Sequence, residues 1–182
     1  MEKRNTGTTG NSMKKIIVTG PESTGKTTLA EQLSRSFNTI WVPEYAREYV
    51  ENLDRPYDYK DLENIGRKQV EELSHSYPDA QSFVFFDTGL IITRTWFLEC
   101  YQNCPSFIDQ AIREIKVDMY LLCRPDIEWI VDPVRENKDL NRERLFSLYE
   151  EQLIQYGASY CIIDGVGEKR LNNAIQAVGE LT

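Results

Sequence analysis

Gly20-Pro-Glu-Ser-Thr-Gly25-Lys26-Thr27 is the stretch of sequence that decides the fold. It fits the pattern G-x-x-x-x-G-K-[ST], in which glycines let backbone N–H groups turn inward around phosphates. The apolar run Lys15-Ile-Ile-Val-Thr19 precedes it, and a helical pattern follows from Thr28. An order of strand, loop and helix directs the positive end of a helix dipole at a bound phosphate. The stretch therefore predicts a binding site for a nucleoside triphosphate.

The residue types of this loop suit ATP together with Mg²⁺, which we expect as cofactors. We expect Lys26 to neutralise the transferring phosphate, and the hydroxyl of Thr27 to bind the metal ion. The other residues expected to contact the nucleotide are Gly20, Glu22, Ser23, Thr24, Gly25 and Thr28.

Short apolar runs alternate with longer amphipathic stretches along the chain, which is typical of a parallel sheet covered by helices. The runs are residues 15–19, 39–42, 83–86, 119–123 and 160–163. The helical stretches are residues 26–37, 61–77, 90–102, 108–114, 142–156 and 168–179. We predict an α/β fold of the P-loop NTPase type, a three-layer sandwich with a central parallel five-stranded sheet and a small arginine-containing lid. Residues 1–12 are predicted to be a disordered leader, and residues 13–182 a single domain.

The composition argues against several classes of function. A formal net charge of −8 disfavours nucleic-acid binding, which needs a clustered basic surface. No apolar stretch reaches the length of a membrane span, so we expect a cytoplasmic protein without a membrane partner. The four cysteines form no CxxC pair and His75 is the only histidine, so no zinc site is expected. The sequence gives no indication of the oligomeric state.

Two clusters of polar residues follow predicted strands. Asp87 ends the run Ser82-Phe-Val-Phe-Phe, where a carboxylate could hold the metal ion or take a proton from the attacking hydroxyl. It could instead cap the next helix. Glu44, Tyr45 and Arg47 follow another strand and could hold the ribose, base and phosphate of a substrate. They could equally form a solvated helix face.

Residues 124–140 form a long polar connection that resembles a mobile lid. Closure over the phosphates would exclude water and bring guanidinium groups to the developing charge. The alternative is that these arginines form surface salt bridges. Trp41, Trp96 and Trp129 could each stack on a flat ring or belong to the core. The lid residues expected in the site are Arg135, Arg142, Arg144 and Trp129.

Several of these motifs together resemble the ribosylnicotinamide kinase domain of the NadR family. They are G-P-E-S-T-G-K-T-T at residues 20–28, P-E-Y-A-R-E at 43–48, F-F-D-T at 85–88, I-I-T-R-T-W at 91–96, D-I-x-W-x-x-D-P-x-R-E at 126–136 and R-x-R-L-F at 142–146. The likeness covers residues 14–178.

This resemblance implies transfer of phosphate from ATP to the 5′-hydroxyl of nicotinamide riboside. It places Asp87 near that hydroxyl, Glu44, Tyr45 and Arg47 on the substrate side, and the lid arginines at the phosphates. The adenylyltransferase and helix-turn-helix parts found in NadR proteins are not expected in this sequence.

The sequence departs from the family at one position, because the expected D-T-D after the strand is Asp87-Thr88-Gly89 here. The acceptor therefore stays open between nicotinamide riboside and another nucleoside or small metabolite. A regulatory module that hydrolyses ATP slowly is a second alternative. A GTPase switch is a third, but the spacing of Asp87-Thr88-Gly89-Leu90 does not match Asp-x-x-Gly.

Overall fold

The structure is a computed structural model that describes residues 13–128 and 141–181. Its strands are β1 (Lys14–Thr19), β2 (Ile40–Val42), β3 (Phe83–Asp87), β4 (Met119–Cys123) and β5 (Tyr160–Ile163). Its helices are α1 (Lys26–Ser36), α2 (Tyr45–Glu51), α3 (Tyr59–Ser74), α4 (Leu90–Tyr101), α5 (Ser106–Glu114), α6 (Arg142–Gln155) and α7 (Glu168–Gly179).

The five strands form one parallel sheet in the order β2-β3-β1-β4-β5. The chain leaves central strand β1 for one half of the sheet and later returns to the other half. Ligands of open α/β sheets bind beyond the carboxyl ends of the strands at such a switch point. The loop at residues 20–25 lies there, directly after β1. The predicted α/β fold with five parallel strands is confirmed.

Helices cover both faces of the sheet because the strands carry apolar side chains on both faces. One face packs Ile16 and Val18 of β1 against α1 and α7. The opposite face packs Ile17 of β1 against α3, α4, α5 and α6. All residues of β3 and β4 are buried. The packed sheet is thus a rigid platform that fixes the positions of the residues at the carboxyl ends of its strands.

Helices α2 and α3 are joined by polar contacts at the edge of this platform. Asp58 caps α3 by accepting bonds from the backbone N–H groups of Lys60 and Asp61, and the Asp61 carboxylate accepts one from the backbone of Asp58. The hydroxyl of Tyr49 in α2 donates to Asp61 at 3.0 Å. The helical stretches predicted from the sequence do not include α2, although a helix face was one interpretation of residues 44–47. The predicted α3 begins two residues late because Asp58 was not recognised as its cap.

Candidate active site

The loop after β1 is held in shape by bonds to its own backbone. The Lys26 ammonium donates to the carbonyl oxygen of Pro21 at 2.7 Å, and the Thr24 hydroxyl donates to the same oxygen at 2.8 Å. Gly20 has a φ of 142°, and a Cβ built on it would lie 2.7 Å from the carbonyl oxygen of Cys123. Only glycine fits this position, so the first glycine of the motif is required by its contact with β4.

Two buried arginines from distant helices bind the carbonyl groups of the same loop. Arg142 at the start of α6 donates to the carbonyls of Ser23 at 3.2 Å and Ile127 at 3.0 Å. Arg170 in α7 donates to the carbonyl of Thr24 at 2.6 Å. The two arginines are only 7% and 5% exposed. The phosphate loop is therefore tied to both α6 and α7.

Thr27 and Asp87 meet at the end of β3. The Thr27 hydroxyl donates to Asp87 Oδ2 at 2.6 Å. The next residue, Thr88, has a φ of 69°, which is rare for a β-branched residue and typical of functional sites. A hydroxyl and a carboxylate oxygen at this distance are hard ligands of the kind that Mg²⁺ prefers. Their placement fits the predicted magnesium site.

A cleft enclosing about 930 Å³ of empty space, part of it open to solvent, adjoins the phosphate loop. Tyr57 and Trp96 lie on its wall as a stacked pair, with ring centroids 5.8 Å apart and planes inclined by 11°. Lys26 and Glu22 of the phosphate loop line the same cleft. Its other lining residues are Gly20, Glu44, Ala46, Arg47, Val50, Ile92, Glu99, Cys100, Leu145 and Tyr149.

Glu99, one of the residues that line the cleft, forms an ion pair. Arg144 of α6 donates two bonds of 2.7 Å to the carboxylate of Glu99 in α4. This partner lowers the pKa of the Glu99 carboxyl from its ordinary value. Both side chains are partly exposed, so solvent screens the pair. Arg144 was expected to face the phosphates, but in this structure it joins α6 to α4 instead.

The three predicted substrate residues after β2 are divided between two pockets. Glu44 and Arg47 line the large cleft, where Arg47 also donates to Glu51 at 2.9 Å. Tyr45 lines a smaller pocket together with Asp87. Asp87 is therefore on the side of the smaller pocket, whereas Glu44 and Arg47 line the same cleft as Lys26.

Gly89 stands where the resembling family has a second acid, and packing restricts the side chain that fits at this position. A Cβ at this position would lie 3.1 Å and 3.2 Å from the side chain of Ile17 in β1. Its φ of −176° is ordinary extended backbone, so the contact alone is restrictive. The carboxylates that border the cleft come instead from Glu22, Glu44 and Glu99.

Some expected site residues could not be placed, and others were missed. Arg135 and Trp129 lie outside the described residues, as does most of the predicted lid. Trp41 packs against the core, and Trp96 both packs against the core and lines the cleft. Thr28 is exposed in the first turn of α1. Sequence reasoning missed Tyr57, Glu99, Tyr149 and Arg170, which lie outside the nucleotide motif.

The described residues contain neither a membrane-spanning helix nor a cluster of the usual metal-ligand residues. None of the described helices is long and apolar enough to cross a membrane. Within residues 13–128 and 141–181, no group of three or more histidine, cysteine, aspartate or glutamate side chains could hold a metal ion.

Comparison with known proteins identifies the family. The profile of a family described as AAA domain matches residues 15–170. The trifunctional NAD biosynthesis/regulator protein NadR of Salmonella typhimurium (strain LT2) is 25% identical over 146 residues, which make up 78% of this chain and 36% of NadR.

Two solved NadR structures also match. NadR in complex with NR shares 31% identity with a TM-score of 0.80, over 92% of this chain and 51% of that one. NadR in complex with NAD and AMP-PNP shares 29% identity with a TM-score of 0.74, over 92% of this chain and 49% of that one. The chain spans 36% to 51% of the length of these relatives. Because the family profile covers most of the sequence, the protein belongs to the AAA domain family.

Proposed function

We propose that the protein is a kinase that transfers a phosphate from ATP to the 5′-hydroxyl of a nucleoside, with nicotinamide riboside as the preferred acceptor. One observation carries this proposal: Gly20, Glu22 and Lys26 of the phosphate loop also line the large cleft with its aromatic wall. A molecule bound in that cleft would reach the end of a triphosphate held by the loop. This arrangement suits group transfer between two bound substrates better than hydrolysis by water.

The donor side supports ATP as the phosphate source. The loop at residues 20–25 and the start of α1 supply N–H groups and a positive helix end for phosphates. The match to a NadR structure with AMP-PNP agrees with this assignment. Mg²⁺ bound with ATP would neutralise phosphate charge and orient the phosphates for in-line transfer. Thr27 and Asp87 are the residues that would hold it.

The acceptor side favours a flat, positively charged ring. Tyr57 and Trp96 provide an aromatic surface. The carboxylates of Glu22, Glu44 and Glu99 border the cleft together with the cations of Lys26 and Arg47, and Glu99 is paired with Arg144, so the aromatic surface is the main argument for a cationic ring. A cation over an aromatic face gains electrostatic attraction from the ring quadrupole. The ring of nicotinamide riboside carries a positive charge, whereas those of the common nucleosides do not. The match to a NadR structure with NR supports the same acceptor.

The carboxylates of Asp87 and Glu44 have separate roles in this proposal. Asp87 accepts a hydrogen bond from the Thr27 hydroxyl and borders the smaller pocket, so we assign it to metal binding. Glu44 borders the cleft and would orient the acceptor hydroxyl and take its proton. Arg142 would stabilise the loop around the phosphates rather than act alone as a mobile charge. Arg135, Arg144 and Trp129 remain proposals for a closed lid.

The proposal is tested by ADP release from ATP and Mg²⁺, alone and with a panel of nucleosides that includes nicotinamide riboside, adenosine, cytidine and thymidine. Nicotinamide riboside should stimulate ADP release more than the uncharged nucleosides do. Stimulation by a different nucleoside would support the kinase activity and contradict nicotinamide riboside as the preferred acceptor. Slow release that no acceptor stimulates would instead support the regulatory ATPase module.

A further inference from the structure

Arg170 is a buried cation that no motif explains. It lies in the first turn of α7 and is 5% exposed. Its guanidinium donates to the carbonyls of Gly165 at 2.6 Å, Thr24 at 2.6 Å and Arg124 at 3.0 Å. It also forms an ion pair with Asp126. One side chain therefore joins the phosphate loop to the segments after β4 and β5.

The partner Asp126 completes this junction. Its second carboxylate oxygen accepts a bond from the backbone N–H of Gly165 at 2.7 Å. Desolvation of a buried arginine is costly unless nearly all of its donors are bonded, and here four acceptors surround it. The fork of a guanidinium can bond several acceptors held in fixed directions, which a lysine ammonium does less well. The site is built for an arginine.

The contact with Thr24 matters because a trans peptide unit is planar. Its C=O and N–H groups point in opposite directions, so fixing one fixes the other. The carbonyl of Thr24 is held from behind by Arg170, so the N–H of Gly25 is directed to the other side of the loop. Arg142 has the same effect on the preceding peptide through the carbonyl of Ser23. Successive N–H groups aimed one way form a concave anion site.

We infer that Arg170 is a positioning residue for the nucleotide, an inference that rests on the proposed use of the loop for ATP. It holds the Thr24–Gly25 peptide so that the N–H of Gly25 faces the phosphates. It acts through the backbone and does not itself touch the nucleotide. Through Asp126 it also fixes the segment that leads toward residues 129–140, so the loop and the root of that segment are positioned together.

The test uses the full chain with Arg170→Gln, Arg170→Lys and a matched control, Arg94→Gln. Arg94 of α4 is also a largely buried arginine paired with an aspartate, Asp109 of α5 at 2.7 Å, but this pair joins two helices and does not bond to the phosphate loop. Titration calorimetry with AMP-PNP and Mg²⁺ gives nucleotide affinity without any acceptor. Urea unfolding gives stability, and steady-state kinetics separate the KM for ATP from the KM for the nucleoside.

Arg170→Gln should weaken AMP-PNP binding by about tenfold, the loss expected for one charge-assisted bond to the loop. The KM for ATP should rise in parallel, whereas the KM for the nucleoside stays within about twofold of its original value. Arg170→Lys should recover part of the affinity. Arg94→Gln should lower the urea midpoint and leave AMP-PNP affinity unchanged.

Two results would overturn the inference: unchanged AMP-PNP affinity in folded Arg170→Gln, or an equal loss of affinity in Arg94→Gln, which would indicate general destabilisation. If Arg170→Gln does not fold, Asp126→Asn is measured in its place. It should weaken AMP-PNP binding by about threefold, since it replaces the carboxylate partner of Arg170 with a neutral amide that has one acceptor oxygen in place of two. Unchanged affinity in Asp126→Asn would then contradict the inference. A protein that binds AMP-PNP but phosphorylates no nucleoside would contradict the proposed function and leave this test intact.

Discussion

The donor side and the acceptor side of the candidate site are built in different ways. On the donor side, backbone groups of one short loop are held by buried side chains, among them Lys26, Arg142 and Arg170. On the acceptor side, side chains from separate segments border an open cleft, and the ion pair between Arg144 and Glu99 is partly exposed. A shape fixed by backbone bonds suits phosphates that every substrate shares. A cleft of side chains can be changed one residue at a time to suit one acceptor.

The largest expected effect is on the donor side. Lys26→Ala should lower kcat by about 100- to 1000-fold, because it removes the cation nearest the transferring phosphate. The measurement is the rate of nucleoside phosphorylation at saturating ATP, with circular dichroism to confirm folding. Lys60→Ala, an exposed change in α3, is the control and should keep full activity. Comparable rates for the two variants would remove Lys26 from the mechanism.

The next prediction separates the metal side from the acceptor side. Asp87→Asn should lower kcat by about 100-fold and raise the Mg²⁺ concentration needed for activity, since it weakens a metal ligand. Glu44→Gln should lower kcat by about 100-fold without changing the Mg²⁺ requirement, because it removes a proton acceptor. Mg²⁺ titrations of both variants check this. A shifted Mg²⁺ requirement in Glu44→Gln would contradict the division of roles.

The aromatic wall should affect the acceptor alone. Trp96→Ala should raise the KM for nicotinamide riboside by about three- to tenfold, the usual worth of an aromatic contact. The KM for ATP should stay unchanged because the nucleotide loop is untouched. Trp41→Ala is a useful control, since Trp41 packs against the core on the other side of the sheet. An equal rise in both KM values for Trp96→Ala would show that the two sides are not separable.

Gly89 tests whether packing, rather than substrate choice, explains the departure from the family pattern. Gly89→Ala should lower the free energy of unfolding by about 1–3 kcal/mol, because the added methyl group presses on Ile17. Gly89→Ala should lower the free energy of unfolding by less in the Ile17→Val variant than in the original protein, because the smaller side chain makes room for the added methyl group. Urea unfolding of the four proteins gives the coupling. Additive losses would exclude this contact as the cause.

The smallest effect should come from the ion pair between Arg144 and Glu99. Arg144 lowers the pKa of Glu99 in the folded state, so the pair stabilises the fold above the ordinary pKa of 4.5 and loses this contribution as pH falls through the lowered value. Glu99→Gln should therefore differ most from the original protein near pH 7 and least in acid. Urea midpoints at pH 7 and pH 3.5 measure this. A difference that grows in acid would contradict the assignment.

The donor side could be predicted from the sequence because its residues are contiguous. The motif at residues 20–27 predicted the phosphate loop. The apolar runs predicted the parallel sheet with Asp87 at its carboxyl edge. Tyr57 precedes α3, whereas Trp96 and Tyr149 lie in α4 and α6, so the three side chains come together only when these segments pack in the folded chain. Arg170 was beyond prediction for the same reason, since its partners Thr24 and Asp126 lie 146 and 44 residues away.

The most direct test of the central claim is mass spectrometry of a reaction containing the purified protein, ATP, Mg²⁺ and nicotinamide riboside. The account predicts nicotinamide riboside 5′-phosphate and ADP in equal amounts, with both formed about 100- to 1000-fold more slowly by Lys26→Ala. ADP that accumulates with free phosphate, while nicotinamide riboside stays unmodified, would contradict it.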